Sequence, residues 1–277
     1  MTHVEHVIGG SGVRLALRAS GPVGAPPILF LHGWAQSSAV WQRQLDGPLS
    51  RDFRLFAADL RGHGDSDAPE SGYDRIDWAA DVRAMIEHIG APVVLVGWSY
   101  GGLVVTDYLC EFGTGSVAGI MYVGAITEIG RGRAGGRTGP AVRQALPDAL
   151  SPDPDVAGPA LRSFAVGMYS AGLTIRPTPL VQGLLDAALR VPAAVRAALF
   201  RRDVASADVL AKIDVPTVVL HGRADAVVEP SVAEYTAGLV PGAETRWLDG
   251  VGHLPFLERP AEFERALRGL LERTASR

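Results

Sequence analysis

The chain has 277 residues, 47 % of them hydrophobic and 20 % charged, with a formal net charge of −4. That composition excludes a disordered chain, and the acidic balance excludes the basic footprint that nucleic acid or an anionic membrane surface selects. No apolar run reaches the roughly 18 residues of a membrane span, and the start "MTHVEHVIGG" has no basic segment followed by an apolar one. The expectation is a cytoplasmic protein with no nucleic-acid and no membrane partner. Lys212 is the only lysine and Cys110 the only cysteine. Cys110 lies in an apolar helical stretch, where a small buried hydrophobe is expected.

In chain order, "HVIGG" and "VRLALRAS" flank a short Gly/Ser turn and read as an antiparallel hairpin at a sheet edge. Five short, nearly continuous apolar runs follow: "PPILFLHG", "FRLFAADL", "PVVLVGWS", "VAGIMYVGAI" and, much later, "PTVVLHGRAD". Runs of this kind are strands covered on both faces. "RIDWAADVRAMIEHI" carries Ile76, Ala79, Ala80, Val82, Met85, Ile86 and Ile89 at mostly helical spacing, and "PAEFERALRGLLERT" does the same with Phe263, Ala266, Leu267, Leu270 and Leu271. Strands alternating with amphipathic helices predict an α/β fold, a mostly parallel sheet with helices on both faces. The alternation fails between about Thr127 and Asp208, a stretch rich in Gly, Pro, Ala and Arg. Residues 1–126 and 209–277 therefore read as one core domain. Residues 127–208 read as a helical cap, inserted at the sheet edge where open α/β sheets bind ligands.

"GWSYG" (Gly97 to Gly101) interrupts an apolar run with one hydroxyl between glycines. A strand that ends sharply and a helix that starts at once would lift Ser99 out of the sheet, with the helix N-terminus favouring negative charge beside it. That makes Ser99 the candidate nucleophile. A serine needs a base, and His253 lies in the loop "LDGVGHLPFLERP", before the last helix, where an imidazole can reach Ser99. An acid must fix that imidazole's tautomer. Asp225, at the end of "PTVVLHGRAD", comes between the two in the chain; Asp249 is the alternative. The backbone N–H groups of Trp34 and Tyr100 are the expected oxyanion donors. The Trp34 indole, Trp98, Phe164, Met168 and Leu254 are the expected pocket wall. No cofactor is expected. "GRGRAG" (Gly130 to Gly135) fits a dinucleotide pattern literally, but Gly136, Gly139 and Pro140 oppose a helix starting inside it. It reads as a lid loop whose Arg131, Arg133 and Arg137 are solvated. No Cys/His/carboxylate set has metal spacing, so no metal is expected. His221 and Asp225 stand four apart, but on a strand end their side chains are not expected to share a helical face.

"LHGW", "DLRGHGDSD", "GWSYGG", "HGRAD" and "GVGHLPFLERP" together resemble the α/β-hydrolase superfamily, in its order and across both halves outside the cap. Within it the chain is similar to small bacterial carboxylesterases and cofactor-free haloperoxidase-like esterases. The latter often read G-x-S-T-G-G-G. Here Tyr100 replaces the threonine and Leu103 the third glycine, which counts against perhydrolase activity. Ser99 stands where dehalogenases and epoxide hydrolases of this fold carry aspartate, which counts against both. The resemblance implies an α/β-hydrolase fold and a serine hydrolase acting on a small-molecule ester or lactone through an acyl-enzyme. A C–C bond hydrolase, thioesterase or amidase with the same triad stays open, as does a receptor-like binding protein.

Overall fold

The computed structural model describes residues 2–170 and 178–275. Eight strands are β1 (His3–Ile8), β2 (Arg14–Ser20), β3 (Pro27–Leu31), β4 (Arg54–Ala58), β5 (Val93–Trp98), β6 (Val117–Val123), β7 (Thr217–Gly222) and β8 (Glu244–Leu248). They form one sheet in the order β1-β2-β4-β3-β5-β6-β7-β8. The expected hairpin is there: β1 and β2 pair antiparallel at one edge, with His3 opposite Ala19, and β2 runs antiparallel to β4. All other neighbours are parallel. Every residue of β5 and β7 is buried, which requires cover on both faces and explains why these runs do not alternate.

The helices of six or more residues are α1 (Arg75–Ile89), α2 (Tyr100–Phe112), α3 (Pro140–Ala149), α4 (Pro154–Gly167), α5 (Thr178–Arg190), α6 (Ala193–Ala198), α7 (Pro230–Leu239) and α8 (Pro260–Ala275). Asp74 caps α1, its carboxylate accepting from Ile76 N at 2.9 Å and Asp77 N at 3.3 Å, and Gly90 ends it with φ 74°. α8 buries Phe263, Leu267, Leu270 and Leu271, as its spacing predicts. None of the described helices is long and apolar enough to cross a membrane.

Three details depart from the sequence reading. Ile76 is 64 % exposed, because it lies on the outer side of the first turn of α1. Cys110 is exposed, near the end of α2 where the helix runs out beyond its packed face. β8 was not expected as a strand: "ETRWL" is a half-buried edge with no fully buried residue, so it carries no continuous apolar run.

Helices α3 to α6 lie between β6 and β7 in the chain, and residues 171–177 of this stretch lie outside the described residues. The two ends of the stretch are tied by an antiparallel bridge in which Val204 N donates to Ile129 O at 2.7 Å and Ile129 N to Val204 O at 3.2 Å. Arg196 of α6 is buried and gathers the other helices. Its guanidinium donates to Ala149 O at the end of α3 (2.9 Å), to Ser151 O (3.2 Å) and to Val191 O just beyond α5 (2.6 Å). A cation is favoured there, since helix C-termini present unpaired carbonyls and partial negative charge.

Candidate active site

β5 passes into α2 with only Ser99 between them, and Ser99 has φ 55° and ψ −122°. A side chain held there costs about 1–3 kcal/mol, so the surroundings must enforce it. Ser99 N donates to Val123 O at 3.1 Å, and Ser99 O accepts from Gly102 N at 3.0 Å and Ile126 N at 3.1 Å. The turn also needs Gly101, where a Cβ would sit 2.4 Å from Leu31 O. The loop after β3 lies directly against the serine: a Cβ on Gly33 would be 2.8 Å from Ser99 Cβ and 3.3 Å from Ser99 Oγ.

His253 and Asp225 meet as the sequence predicts, with His253 Nδ1 2.8 Å from Asp225 Oδ2. Asp225 stands three residues beyond the end of β7 rather than on it, and its Oδ1 accepts from Val227 N at 2.8 Å and Val228 N at 3.0 Å. Burial opposes its charge, but His253 and His221 outweigh burial and hold the carboxyl well below the usual carboxylate range. The acceptor at Nδ1 fixes the imidazole with Nε2 as its basic nitrogen. Two backbone bonds fix the loop: His253 N donates to Met168 O at 2.8 Å, and His253 O accepts from the Trp98 indole at 2.9 Å. Glu258 closes it, accepting from Gly252 N at 3.0 Å and Ser170 N at 3.3 Å. The pair and the serine share one wall, the turn after β6: a Cβ on Gly124 would be 3.2 Å from both Asp225 Oδ2 and His253 Nδ1.

Among the described residues, no backbone or side-chain acceptor takes the N–H of Trp34 or Tyr100. Tyr100 is the first residue of α2, whose first N–H groups have no intrahelical partner. The Trp34 indole donates to Arg196 O at 3.1 Å and meets the rings of Phe164 and Phe200 edge-on, each at 5.3 Å. The Tyr100 hydroxyl donates to Leu199 O at 3.1 Å and accepts from Arg202 Nη1 at 2.9 Å. Arg202 Nη2 also donates to both oxygens of Asp107, at 2.6 and 2.7 Å, in an almost completely buried ion pair.

The expected pocket wall divides. Phe164 packs on the Trp34 indole, and Met168 lies beside His253 through its carbonyl. Trp98 and Leu254 are both 0 % exposed. Trp98 lies among Trp41, Phe256 and the His253 ring, and Leu254 opens the short turn Pro255–Glu258. Asp249 is far more exposed, and its ion pair is with Arg223 at 3.0 Å, not with His253. Arg133 of the glycine-rich loop pairs with Asp203 at 2.8 Å, and only a three-residue 3-10 turn (Ala134–Gly136), no α-helix, starts within "GRGRAG". His221 is the residue that sequence reasoning missed. Its Nε2 lies 3.2 Å from Asp225 Oδ2, because the chain turns back after β7 instead of continuing along it. Among the described residues no three His, Cys, Asp or Glu side chains converge as a metal site requires.

The other buried histidines belong to the core. His32 Nε2 accepts from Leu60 N at 3.1 Å, and His63 Nδ1 lies 2.8 Å from Arg61 O. Burial lowers His32 to about 4, and burial together with His32 lowers His63 to about 3. Below the ordinary histidine pKa near 6.5 the unfolded chain takes up protons that these rings refuse. Their contribution is complete above about pH 6.5 and is lost progressively as pH falls toward 4 and then 3. Thermal melts are expected to show a loss of about 2 kcal/mol for each ring at pH 5 relative to pH 7.5. A His63→Asn variant should flatten that slope; an unchanged slope would remove His63 as its source.

Comparison with known proteins finds relatives and solved structures that match nearly the whole chain. A non-heme chloroperoxidase of Streptomyces lividans is 31 % identical over 256 residues, covering 87 % of this chain and 90 % of that protein. The crystal structure of the esterase RhEst1 from Rhodococcus sp. ECU1013 superposes with a TM-score of 0.93 at 42 % identity, covering 97 % of this chain and 98 % of that one. The esterase EaEST from Exiguobacterium antarcticum does so with a TM-score of 0.85 at 25 % identity, covering 96 % and 98 %. The model of the alpha/beta hydrolase family matches residues 28–266, from the start of β3 into α8. Fold, element order and sequence agree, and the chain belongs to the alpha/beta hydrolase family of enzymes.

Proposed function

We propose that the protein is a serine esterase that cleaves a small carboxylic ester or lactone through an acyl-enzyme, and that Ser99, His253 and Asp225 are its triad. The observation that carries this reading is the His253–Asp225 pair at 2.8 Å, held against the same turn that fixes the strained Ser99. Ser99 Oγ attacks the ester carbonyl while His253 Nε2 takes its proton. Asp225 stabilises the imidazolium that forms. The Trp34 and Tyr100 N–H groups bind the oxyanion, helped by the N-terminus of α2. His253 then returns the proton to the leaving alcohol, and water, activated by the same histidine, releases the acid.

In this reading residues 127–208 are a cap over Ser99, and Phe164 and Met168 give the acyl pocket an apolar roof. Phe164 is 5 % exposed with its ring against Trp34, and Met168 is 1 % exposed with its carbonyl on the His253 N–H. Pockets of this kind bind mainly through apolar walls. Each methylene that enters is worth about 0.8 kcal/mol, so an acyl chain longer by two carbons should gain roughly tenfold in kcat/KM. The test is kcat/KM for p-nitrophenyl esters from acetate upward, in wild type, Phe164→Ala and Met168→Ala. The expected result is a preference for medium chains that moves in both variants. Acetate as best substrate with an unmoved profile would refute the roof, and no turnover of any ester would refute the esterase.

A further inference from the structure

We propose that His221 is a positioning residue of this site: its Nε2–H donates to Asp225 Oδ2 beside the His253 contact and sets how strongly Asp225 holds the His253 imidazolium. This rests on the triad reading above.

The geometry leaves His221 one role. It lies near the end of β7, is 0 % exposed, and its Nε2 is 3.2 Å from two acceptors, Asp225 Oδ2 and Val228 O. Two acceptors at one ring nitrogen place the proton there. Its Nδ1 is buried with no hydrogen-bond partner, so nothing competes for the ring's orientation on that side. Val228 N in turn donates to Asp225 Oδ1, which closes a small ring of contacts around the carboxylate. Four donor groups thus surround the Asp225 carboxylate: two backbone N–H groups on Oδ1, His253 on Oδ2 at 2.8 Å, and His221 Nε2 3.2 Å from Oδ2 with its N–H shared with Val228 O. A carboxylate offers about four lone-pair sites, so all are taken. Each added donor draws charge away from the bond to His253. With His221 removed, Oδ2 would serve His253 alone, and the imidazolium would persist to higher pH.

The groups that face this centre are few. His221 comes from β7, Asp225 from the loop after it and His253 from the loop after β8. Beyond His253 lie Tyr169, pushed up to about 12 by burial and by Glu258, and Glu258 itself, bound to two backbone N–H groups. Beyond Val228 lies the exposed Arg143–Glu229 pair. None of these stands between His221 and Asp225.

The experiment is the pH profile of kcat/KM for a p-nitrophenyl ester with the full chain, in wild type, His221→Phe, His221→Gln and Asp225→Asn. Phenylalanine keeps a ring and loses the donor; glutamine keeps an N–H at similar reach. His221→Phe should move the apparent pKa of the acidic limb up by about 0.5–1 unit with KM nearly unchanged. His221→Gln should restore most of that shift. A folded His221→Phe with the wild-type limb, or a His221→Gln shifted as far, would overturn the proposal. Should the phenylalanine prevent folding, His221→Leu is read in the same way. Asp225→Asn separates the two ideas: wild-type turnover there would remove the triad itself, whereas its loss with an unmoved His221→Phe would remove only the role of His221.

Discussion

Ser99→Ala is expected to fold normally and to lose roughly 10⁴- to 10⁶-fold in kcat, the range that removal of a triad nucleophile produces. The measurement is ester turnover, together with covalent labelling by a fluorophosphonate, which should mark Ser99 in wild type and nothing in the variant. Labelling of another residue, or a loss below tenfold, would remove Ser99 from its role. The backbone supplies a second arm. Ser99 holds φ 55° only because its neighbours enforce it. Glycine adopts that conformation freely, so Ser99→Gly should be inactive yet more stable than Ser99→Ala by about 1 kcal/mol or more. The same position is then unfavourable for the fold and necessary for the chemistry.

The largest effect on stability is expected at Arg202. Arg202→Met leaves Asp107 buried without its partner, where burial, which already raises this carboxyl to about 7, disfavours its charge further, and takes one hydrogen bond from the Tyr100 hydroxyl. Breaking a buried pair from one side costs about 3–5 kcal/mol, whereas replacing both partners by apolar groups is often neutral. Urea unfolding should show the midpoint of Arg202→Met well below wild type, and the double variant Arg202→Met/Asp107→Leu should recover most of the loss. A single variant within about 0.5 kcal/mol of wild type would mean that the pair contributes nothing that solvent cannot replace.

The sequence made the inner strands and the three proposed catalytic side chains legible for one reason: each depends on a local pattern. A continuous apolar run marks a doubly covered strand, and a lone serine between glycines marks a sharp turn. What stayed hidden depends on contacts between distant segments. β8 is an edge with little to bury, so its strand pattern is weak. Trp98 adjoins the serine in the chain, and adjacency suggested a pocket. In a strand, neighbouring side chains point to opposite faces, and Trp98 went into the core. Tyr100 and Asp107 are seven apart and share a face of α2, which the sequence could have told; their partner Arg202 lies 95 residues beyond Asp107, which it could not. His221 followed the same logic as Asp225, but only the turn after β7 brings the two together.

The bridge between Ile129 and Val204 has a consequence for how such a chain can diversify. To the sheet, everything between those two residues is a single closed loop entered and left at neighbouring points. Lengthening a closed loop is thermodynamically inexpensive, about 0.6 kcal/mol for each doubling. Whole helices could therefore be gained, lost or exchanged there while the sheet and the strained serine stay as they are. The freedom ends at the segment's buried ties to the sheet domain: Arg196 O takes the Trp34 indole, Met168 O the His253 amide, Leu184 O the Gln36 side-chain amide and Leu199 O the Tyr100 hydroxyl, and Arg202 pairs with Asp107. A replacement segment would have to return a partner to each of these places.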